Sequence, residues 1–419
     1  PSVSAGWQIA QERFMNSTRH WLDGLKLRAS YGVIGNQNIN PYTFTPSMSV
    51  NNKATSWIID DTYVTSISSL PALVSQNFTW EKVGTINVGL DVNLFNNRLS
   101  GVFEWYQRNT NGMLAPGVQL PAVVGASAPY QNTADMRTRG WELSLNWRDQ
   151  IGKVGYRIGF NLSDYKSEII KYDDNAATKL LSSYYPGQTL GEIWGYVVDG
   201  YYTVDDFVDT SSWQLKEGVT SINGYNVRPG DVKFKNLRDD DTSTNVITSG
   251  DNTFDNPGDR KVIGNTTPRY QYGINLGMNY AGFDLNVILQ GTGKRDYWIS
   301  NVLTFPMNGD NFVPLFEGLS DYWMPKDPDN GDWSAVNPNA KYPRIYGNRG
   351  NSGSNLRQSD KYLSDASYLR IKNITLSYKL PKKWVNQIFL NQMKAFVSIE
   401  NVATFTSLPS GIDPERIEW

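Results

Sequence analysis

The sequence contains no cysteine and only one histidine, His20, among its 419 residues. The lack of cysteine excludes disulfide bonds, thiolate metal sites and cysteine nucleophiles. The single histidine excludes histidine-rich metal sites and most schemes with a histidine general base. With 39 basic and 41 acidic residues, the formal net charge is −2. No basic field attracts nucleic acid, so we expect no nucleic-acid partner.

Long hydrophobic runs are also missing from this sequence. No apolar segment approaches the ~20 residues that a membrane-spanning helix needs. Residues 1–4 show neither the charged start nor the apolar run of a signal peptide. Either the protein is cytosolic and soluble, or this is not its natural beginning. Aromatic residues are abundant at 13%, with 24 tyrosines and 14 tryptophans.

Alternating apolar and polar residues dominate what is present. The segment 270–290, YQYGINLGMNYAGFDLNVILQ, places apolar side chains on one face and Asn, Gln or Gly on the other. A period of two is typical of β-strands with one apolar face. The pattern predicts nine full strands, with Pro1–Ile9 as the end of another: 24–34, 80–95, 98–109, 136–148, 153–166, 269–280, 282–293, 368–380 and 393–402. In the segment 368–380 the alternation changes phase, which predicts a β-bulge near Lys372-Asn373.

Short turns predict how neighbouring strands pair. Asn and Gly tolerate the positive φ angles that tight hairpin turns require. The predicted turns and one flanking pair for each are Ala281–Gly282 with Tyr280 opposite Phe283, Asn96–Asn97 with Leu94 opposite Leu99, and 148–153 with Trp147 opposite Val154. In the first two hairpins, all predicted pairs of apolar residues fall on one side of the sheet, so the registers are self-consistent.

Short turns alternate with long segments along the chain. The long segments lie near 35–79, 110–135, 167–268 and 294–367. Short turns at one end and long loops at the other are typical of outer-membrane barrels. We therefore predict an all-β protein: an antiparallel transmembrane β-barrel with short periplasmic turns and long extracellular loops. The alternative is a soluble β-sandwich, whose strands are usually shorter, at about 5–6 residues.

Strand length supports the barrel over the sandwich. Tyr270 and Tyr280 lie ten residues apart on one predicted strand. At ~3.3 Å per residue and a tilt of ~40°, they are ~25 Å apart along the membrane normal, which matches the apolar band of such barrels. Both tyrosines are predicted membrane-belt residues, and Trp141 and Trp147 are assigned to the belt or to strand packing. The apolar face would contact lipid and the Asn/Gly face would line a wet lumen.

Several segments, in their order and spacing, resemble a known family. They are LKLRASYGVIGNQNI, WEKVGTINVGLDVNLFNNRLSGVFEWYQRNTNGML, RGWELSLNWRD, PGDVKFKNL, DRKVIGNTTPRYQYGINLG, SDASYLRIKNITLSYKLPKKW and SIENVATFT. Together they are similar to the C-terminal part of SusC/RagA-type TonB-dependent transporters of Bacteroidetes. The resemblance covers most of residues 20–405.

The resemblance implies a 22-stranded barrel in the outer membrane of a Gram-negative bacterium, with an N-terminal plug. It also implies a SusD-like lipoprotein partner at the outer face and TonB in the periplasm, which acts on the plug. The cargo would be an oligosaccharide or other glycan, with a peptide as the other possibility. By strand count, the plug and the last strand are expected to lie outside residues 1–419.

Loop residues are the candidates for ligand contact, because flat aromatic faces can stack on sugar rings. The candidates are Trp213, Tyr322, Trp323 and Trp333. Asp239 and Asp241 are weak candidates for calcium, since this acidic stretch lacks the glycine spacing of a calcium loop. No other cofactor and no catalytic residue is predicted. The sequence therefore favours active import across the outer membrane, and the alternative is a secreted, soluble carbohydrate-binding β-sandwich.

Overall fold

A single antiparallel sheet of ten strands forms the main part of the protein. The computed structural model describes residues 1–37, 45–48, 50–51, 58–59, 62–63, 67–68, 71–75, 79–117, 120–172, 184–238, 245–299, 317–346 and 353–417. The strands are β1 Ser2–Gln8, β2 Leu22–Asn36, β3 Glu81–Leu94, β4 Leu99–Pro116, β5 Tyr130–Ile151, β6 Val154–Tyr172, β7 Arg269–Tyr280, β8 Phe283–Lys294, β9 Tyr368–Lys379 and β10 Lys394–Thr406. They pair in chain order, so β1 and β10 are the two edges.

The remaining elements are short and lie in the connections. The short strands are Val50–Asn51, Ile58–Ile59, Thr62–Tyr63, Ile67–Ser68, Glu192–Tyr196, Val198–Tyr201, Ser221–Ile222, Val232–Phe234, Val246–Ile247, Arg260–Asn265, Asp296–Trp298, Pro325–Asp327, Asp332–Ala335 and Leu363–Asp365. The helix α1 is Lys382–Val385, and 3-10 turns occupy Ile9–Gln11, Arg13–Thr18, Ala122–Val124, Val204–Asp206, Glu317–Leu319, Pro328–Asn330, Asp360–Tyr362, Asn386–Ile388 and Pro414–Arg416. No helix among the described residues is long and apolar enough to cross a membrane.

Two of the predicted turns have the predicted register. Tyr280 pairs with Phe283 across Ala281–Gly282, and Leu94 pairs with Leu99. Ala281 has a φ of 48° and Gly282 a φ of 91°, as tight hairpins require. The predicted bulge is also present: the register of β9 against β8 and β10 shifts on either side of residue 372.

The predicted turn at 148–153 is wrong in length and register. β5 continues to Ile151, which pairs with Val154, so the turn is reduced to Gly152–Lys153. Trp147 pairs with Ile158 instead of Val154. The polar residues 148–150 suggested a loop. Strands pair through backbone hydrogen bonds, however, so pairing can continue where the side chains are polar. Gly152, with a φ of 60°, supplies the sharp reversal.

The connection predicted near 110–135 is shorter in the structure. β4 continues to Pro116 and β5 begins at Tyr130, while β6 extends to Tyr172. The extra pairing passes through register shifts between Thr110 and Met113. Such bulges break the alternation of side chains while the hydrogen-bonded ladder continues, which is why the periodicity ended before the strands did.

The apolar face of the sheet is largely exposed. Leu276 is 38% exposed and Tyr280 50% exposed, and Phe103, Trp105 and Val397 on other strands of the sheet are exposed as well. In a β-sandwich these residues would be covered by a second sheet. Among the described residues the long strands belong to one sheet, so the structure does not support the sandwich alternative.

On the polar face, ion pairs connect adjacent strands and also reach across one strand to the next. Arg28 on β2 donates to Asp91 on β3 at 3.1 Å and also reaches Glu104 on β4. Its side chain crosses the strand between them at Gly89, where an added Cβ would lie 2.7 Å from the Arg28 Cζ. A larger residue at 89 would force the guanidinium away from the sheet.

The same arrangement recurs further along the sheet. Arg157 on β6 crosses β7 at Gly277 and pairs with Asp284 on β8 at 3.3 Å. The group that approaches the strand glycine is thus a side chain from the adjacent strand. Gly273 differs, because an added Cβ there would meet only the Leu289 carbonyl oxygen at 3.9 Å.

Candidate functional site

The connection between β6 and β7 folds around a hydrophobic core of its own. We call it the loop core: Tyr196, Tyr202, Phe207, Ile222, Val227, Val232, Phe234 and Ile247, all buried. Short strand pairs frame it, Glu192–Tyr196 with Arg260–Asn265 and Val198–Tyr201 with Val232–Phe234. The loop core is therefore an ordered platform that can hold neighbouring side chains in fixed positions.

Two of the predicted ligand residues meet at the side of this core. The ring centroids of Trp213 and Trp333 are 5.0 Å apart at an interplanar angle of 80°. Trp213 also packs edge-on against Phe207 of the loop core at 5.3 Å. Because Trp213 follows β6 and Trp333 follows β8, the contact joins two long connections. Both indoles remain partly exposed, so a ligand can reach them.

Arginine side chains lie over these rings. The Arg228 Cζ is 5.5 Å from the centroid of Trp213, and the Arg344 Cζ is 4.9 Å from that of Trp333 and 5.0 Å from that of Tyr346. A guanidinium over an aromatic face is attracted by the ring quadrupole. We call Trp213, Trp333, Arg228 and Arg344 the aromatic–arginine cluster.

The buried carboxylate of Asp231 holds residues of the cluster in place through hydrogen bonds. Asp231 Oδ2 accepts hydrogen bonds from the Arg228 backbone N–H at 2.8 Å and from the Tyr346 hydroxyl at 2.7 Å. Its Oδ1 accepts from Asn355 Nδ2 at 2.9 Å. Burial raises the pKa of the Asp231 carboxyl above its ordinary value, and these hydrogen bonds offset only part of that effect. Asp231 thereby fixes Arg228 and the chain that carries Arg344.

The other two predicted ligand residues lie deeper. Trp323 is only 3% exposed and packs directly against Gly230, where any side chain would overlap its indole. Tyr322 is half-buried, and its backbone forms a bridge with Tyr342. Trp323 offers no free ring face for stacking, so the structure assigns it to packing, in contrast to its prediction as a ligand contact. Sequence reasoning missed Arg228 and Arg344, because nothing in their spacing signals that they lie over Trp rings.

The acidic residues show no sign of a metal site in the described residues. Asp239 and Asp241 lie outside them, so their assignment stays a prediction. Asp259, from the same acidic region, is buried and accepts from the backbone N–H groups of Leu237 and Thr248. Asp259 therefore serves as the hydrogen-bond acceptor for backbone N–H groups of the loop. The described residues contain no group of three potential metal ligands.

The four predicted belt residues occupy different positions on their strands. Tyr280 ends β7 beside its turn, whereas Tyr270 lies at the other end with a φ of 54°, which interrupts the strict alternation there. Trp141 lies in the middle of β5 and pairs with Trp105 on β4, and Trp147 lies nearer the turn. Their contact with a membrane interface stays a prediction.

Comparison with known proteins identifies the family. The family model described as "TonB dependent receptor-like, beta-barrel" matches residues 1–402. This chain belongs to that family. The outer-membrane location predicted from the sequence is confirmed by this membership, and so is the prediction of an antiparallel barrel wall.

Individual relatives agree with this assignment. TonB-dependent receptor P3 of Formosa agariphila is 28% identical over 99% of this chain and 38% of its own length. TonB-dependent receptor SusC of Bacteroides thetaiotaomicron is 25% identical over 99% of this chain and 37% of its own length. The chain thus spans less than two fifths of these two relatives. The solved structure of the RagAB peptide transporter matches with a TM-score of 0.71, at 23% identity, over 99% of this chain and 40% of that one. The predicted resemblance to SusC/RagA-type receptors is confirmed.

Proposed function

We propose that this receptor chain forms the C-terminal barrel wall and outer loops of an importer for oligosaccharides. A SusD-like lipoprotein would cover the outer face, and TonB would drive transport from the periplasm through a plug outside residues 1–419. No residue of this chain is assigned a chemical step. The observation that carries the proposal is the Trp213–Trp333 contact, which presents partly exposed indoles from two long connections.

The chemistry of the cluster suits a sugar ligand. Indole faces pack against the C–H faces of sugar rings, while guanidinium groups donate hydrogen bonds to hydroxyl oxygens. The polar face of the sheet, with its Asn, Gly and paired charges, would give a hydrated path past the wall. A peptide is the second candidate cargo, because the matching solved structures are described as a peptide transporter.

The test uses the full-length receptor in lipid nanodiscs. Binding of a panel of neutral oligosaccharides and of mixed oligopeptides is measured by calorimetry for the parent, Trp213→Ala and Trp333→Ala. We expect each substitution to weaken oligosaccharide binding about tenfold, or roughly 1.4 kcal/mol. Tyr184→Ala is the matched control, since Tyr184 is an exposed loop aromatic that packs on Tyr172, away from the cluster.

Two outcomes would contradict the assignment. If neither tryptophan substitution changes affinity for any oligosaccharide that the parent binds, the cluster is not the contact surface. If only oligopeptides bind, and the two substitutions weaken that binding, the cluster is a ligand site but the cargo is the second candidate.

A further inference from the structure

The connection between β9 and β10, residues 381–393, differs from the tight turns at the same end of the sheet. It contains α1 and the 3-10 turn Asn386–Ile388, and this turn ends at Phe389, whose φ is 59°. The Leu390 N–H donates to the Val385 carbonyl oxygen at 3.2 Å and closes the segment. We call these residues the turn helix segment.

Large apolar side chains of this segment are exposed. Phe389 is 99% exposed and Trp384 58% exposed, and Leu390 and Met393 are also exposed. Val385 alone among the large apolar residues described in the segment is buried. A contiguous apolar patch on a protein surface marks a site of contact with another apolar phase or molecule.

The segment joins the sheet next to exposed aromatic residues of the apolar face. The Leu380 N–H donates to the Met393 carbonyl oxygen at 3.0 Å, which joins the two ends of the segment beside the strands. Immediately next to them, the rings of Phe283 and Tyr378 are 4.6 Å apart on the apolar face. The segment therefore begins three residues after Tyr378, which lies on the face that would contact lipid.

The charge of the segment has one sign. Residues 379–394 contain four lysines, Lys379, Lys382, Lys383 and Lys394, and no acidic residue. Lys379 and Lys394 are register partners at the ends of β9 and β10. An apolar patch with aromatic residues and flanking lysines is typical of protein segments that lie in a membrane interface.

A second connection at this end also exposes aromatic rings beside cations, but it includes the acidic Glu12 as well. The segment between β1 and β2 carries the exposed Phe14, which packs on the exposed Trp7 at 6.4 Å. Arg13 and Arg19 flank it. The two connections at this end that are longer than tight turns thus both combine exposed aromatic rings with cations.

We propose that the turn helix segment lies in the headgroup region of the phospholipid leaflet at the short-turn end of the barrel. Phe389 and Trp384 would insert among the acyl chains, and the lysines would contact the phosphates of anionic lipids. The segment would then fix the height of β9 and β10 in the membrane. This inference rests on the proposed placement of the sheet, with its apolar face in lipid.

The test uses the full-length receptor in nanodiscs of phosphatidylethanolamine with or without phosphatidylglycerol. Residues 1–419 contain no cysteine, so Phe389→Cys gives a unique site in this chain for a nitroxide label. We expect relaxation of the label by lipid-dissolved oxygen and protection from an aqueous nickel complex. The matched control is Lys153→Cys, an exposed position in the β5–β6 turn at the same end, which should show the reverse.

Charge is tested separately from insertion. Lys382→Gln with Lys383→Gln should reduce the protection of the Phe389 label in the discs with phosphatidylglycerol and have little effect in those without it. The inference is overturned if the aqueous nickel complex relaxes the Phe389 label as strongly as the Lys153 label. It is also overturned if the Phe389 label is protected from nickel but is not relaxed by lipid-dissolved oxygen, since protein would then cover the site.

A third label separates this inference from the membrane placement itself. Leu276→Cys lies on the apolar face of β7. If that label is in contact with oxygen-rich lipid and the Phe389 label is not, only the inference about the turn helix segment fails. If neither label contacts lipid, the proposed placement of the sheet fails with it.

Discussion

Asp231→Asn tests how the loop core and the aromatic–arginine cluster are held together. The parent carboxylate acts only as an acceptor, and it is fully buried with donors on both oxygens. An Asn side chain of the same size has one acceptor oxygen and one donor NH₂. If its oxygen faces the Arg228 N–H, its NH₂ faces the NH₂ of Asn355. Turning Asn355 over does not help, because its own oxygen accepts from the Val232 N–H at 2.8 Å.

The magnitude follows from one buried donor that cannot be satisfied. Such a group lowers the free energy of local unfolding by about 1–3 kcal/mol. The fraction of molecules in which the loop core is locally unfolded then rises about 5- to 150-fold. Native-state proteolysis of the full receptor measures that population as a rate of cleavage within residues 184–265. We expect Asp231→Asn to accelerate cleavage in this range while the barrel strands remain protected.

A second substitution should restore the network. In Asp231→Asn with Asn355→Asp, the new amide donates to the new carboxylate, which still accepts from the Val232 N–H. Cleavage should return close to the parent rate. Asp209→Asn is the matched control, because the Asp209 carboxylate is exposed and water can replace its contacts with Ser211. The reasoning is refuted if Asp231→Asn leaves the rate unchanged, or if the double substitution is as fast as the single one.

Two further predictions concern the barrel wall and the end of the chain. Gly277→Ala should lower the unfolding temperature of the receptor relative to Gly273→Ala, because only the first Cβ would overlap the arginine that crosses the strand; equal temperatures would refute this. The Arg370 guanidinium holds the pKa of Asp413 below its usual range. Stability from a carboxylate with a lowered pKa is present above the unfolded value of about 3.9 and is lost as the pH falls through the folded value. A spin label at Ser410→Cys should therefore become mobile as the pH falls through the lowered pKa of Asp413, and already at neutral pH in Arg370→Gln; immobility in both cases would contradict the ion pair.

The long strands could be predicted because their physical cause is local. Alternation in 270–290 reports which face of a strand meets an apolar phase, and the Asn and Gly residues at the turns report positive φ angles. The turn at Gly152–Lys153 shows the limit of this reasoning. Polar residues there still pair through their backbones, so the side-chain pattern ends four residues before the β5 strand does.

The candidate site could be predicted only in part. Trp213 and Trp333 were identified as exposed loop aromatics, but they are 120 positions apart in sequence, and no local pattern encodes their contact. The loop core is built from residues scattered over short strands without a long period. Trp323 has the same residue type as Trp213, and only the absence of a side chain at Gly230 places its indole inside the fold.

The glycine crossings also determine the relief of the polar face of the sheet. Where Arg28 lies across Gly89 and Arg157 across Gly277, each guanidinium is held flat against the wall and does not project from it. Replacing the glycine would tip the same cation into the open space and narrow it by the length of a side chain. Bare backbone at these points therefore lets the polar face of the sheet carry charge without projecting side chains.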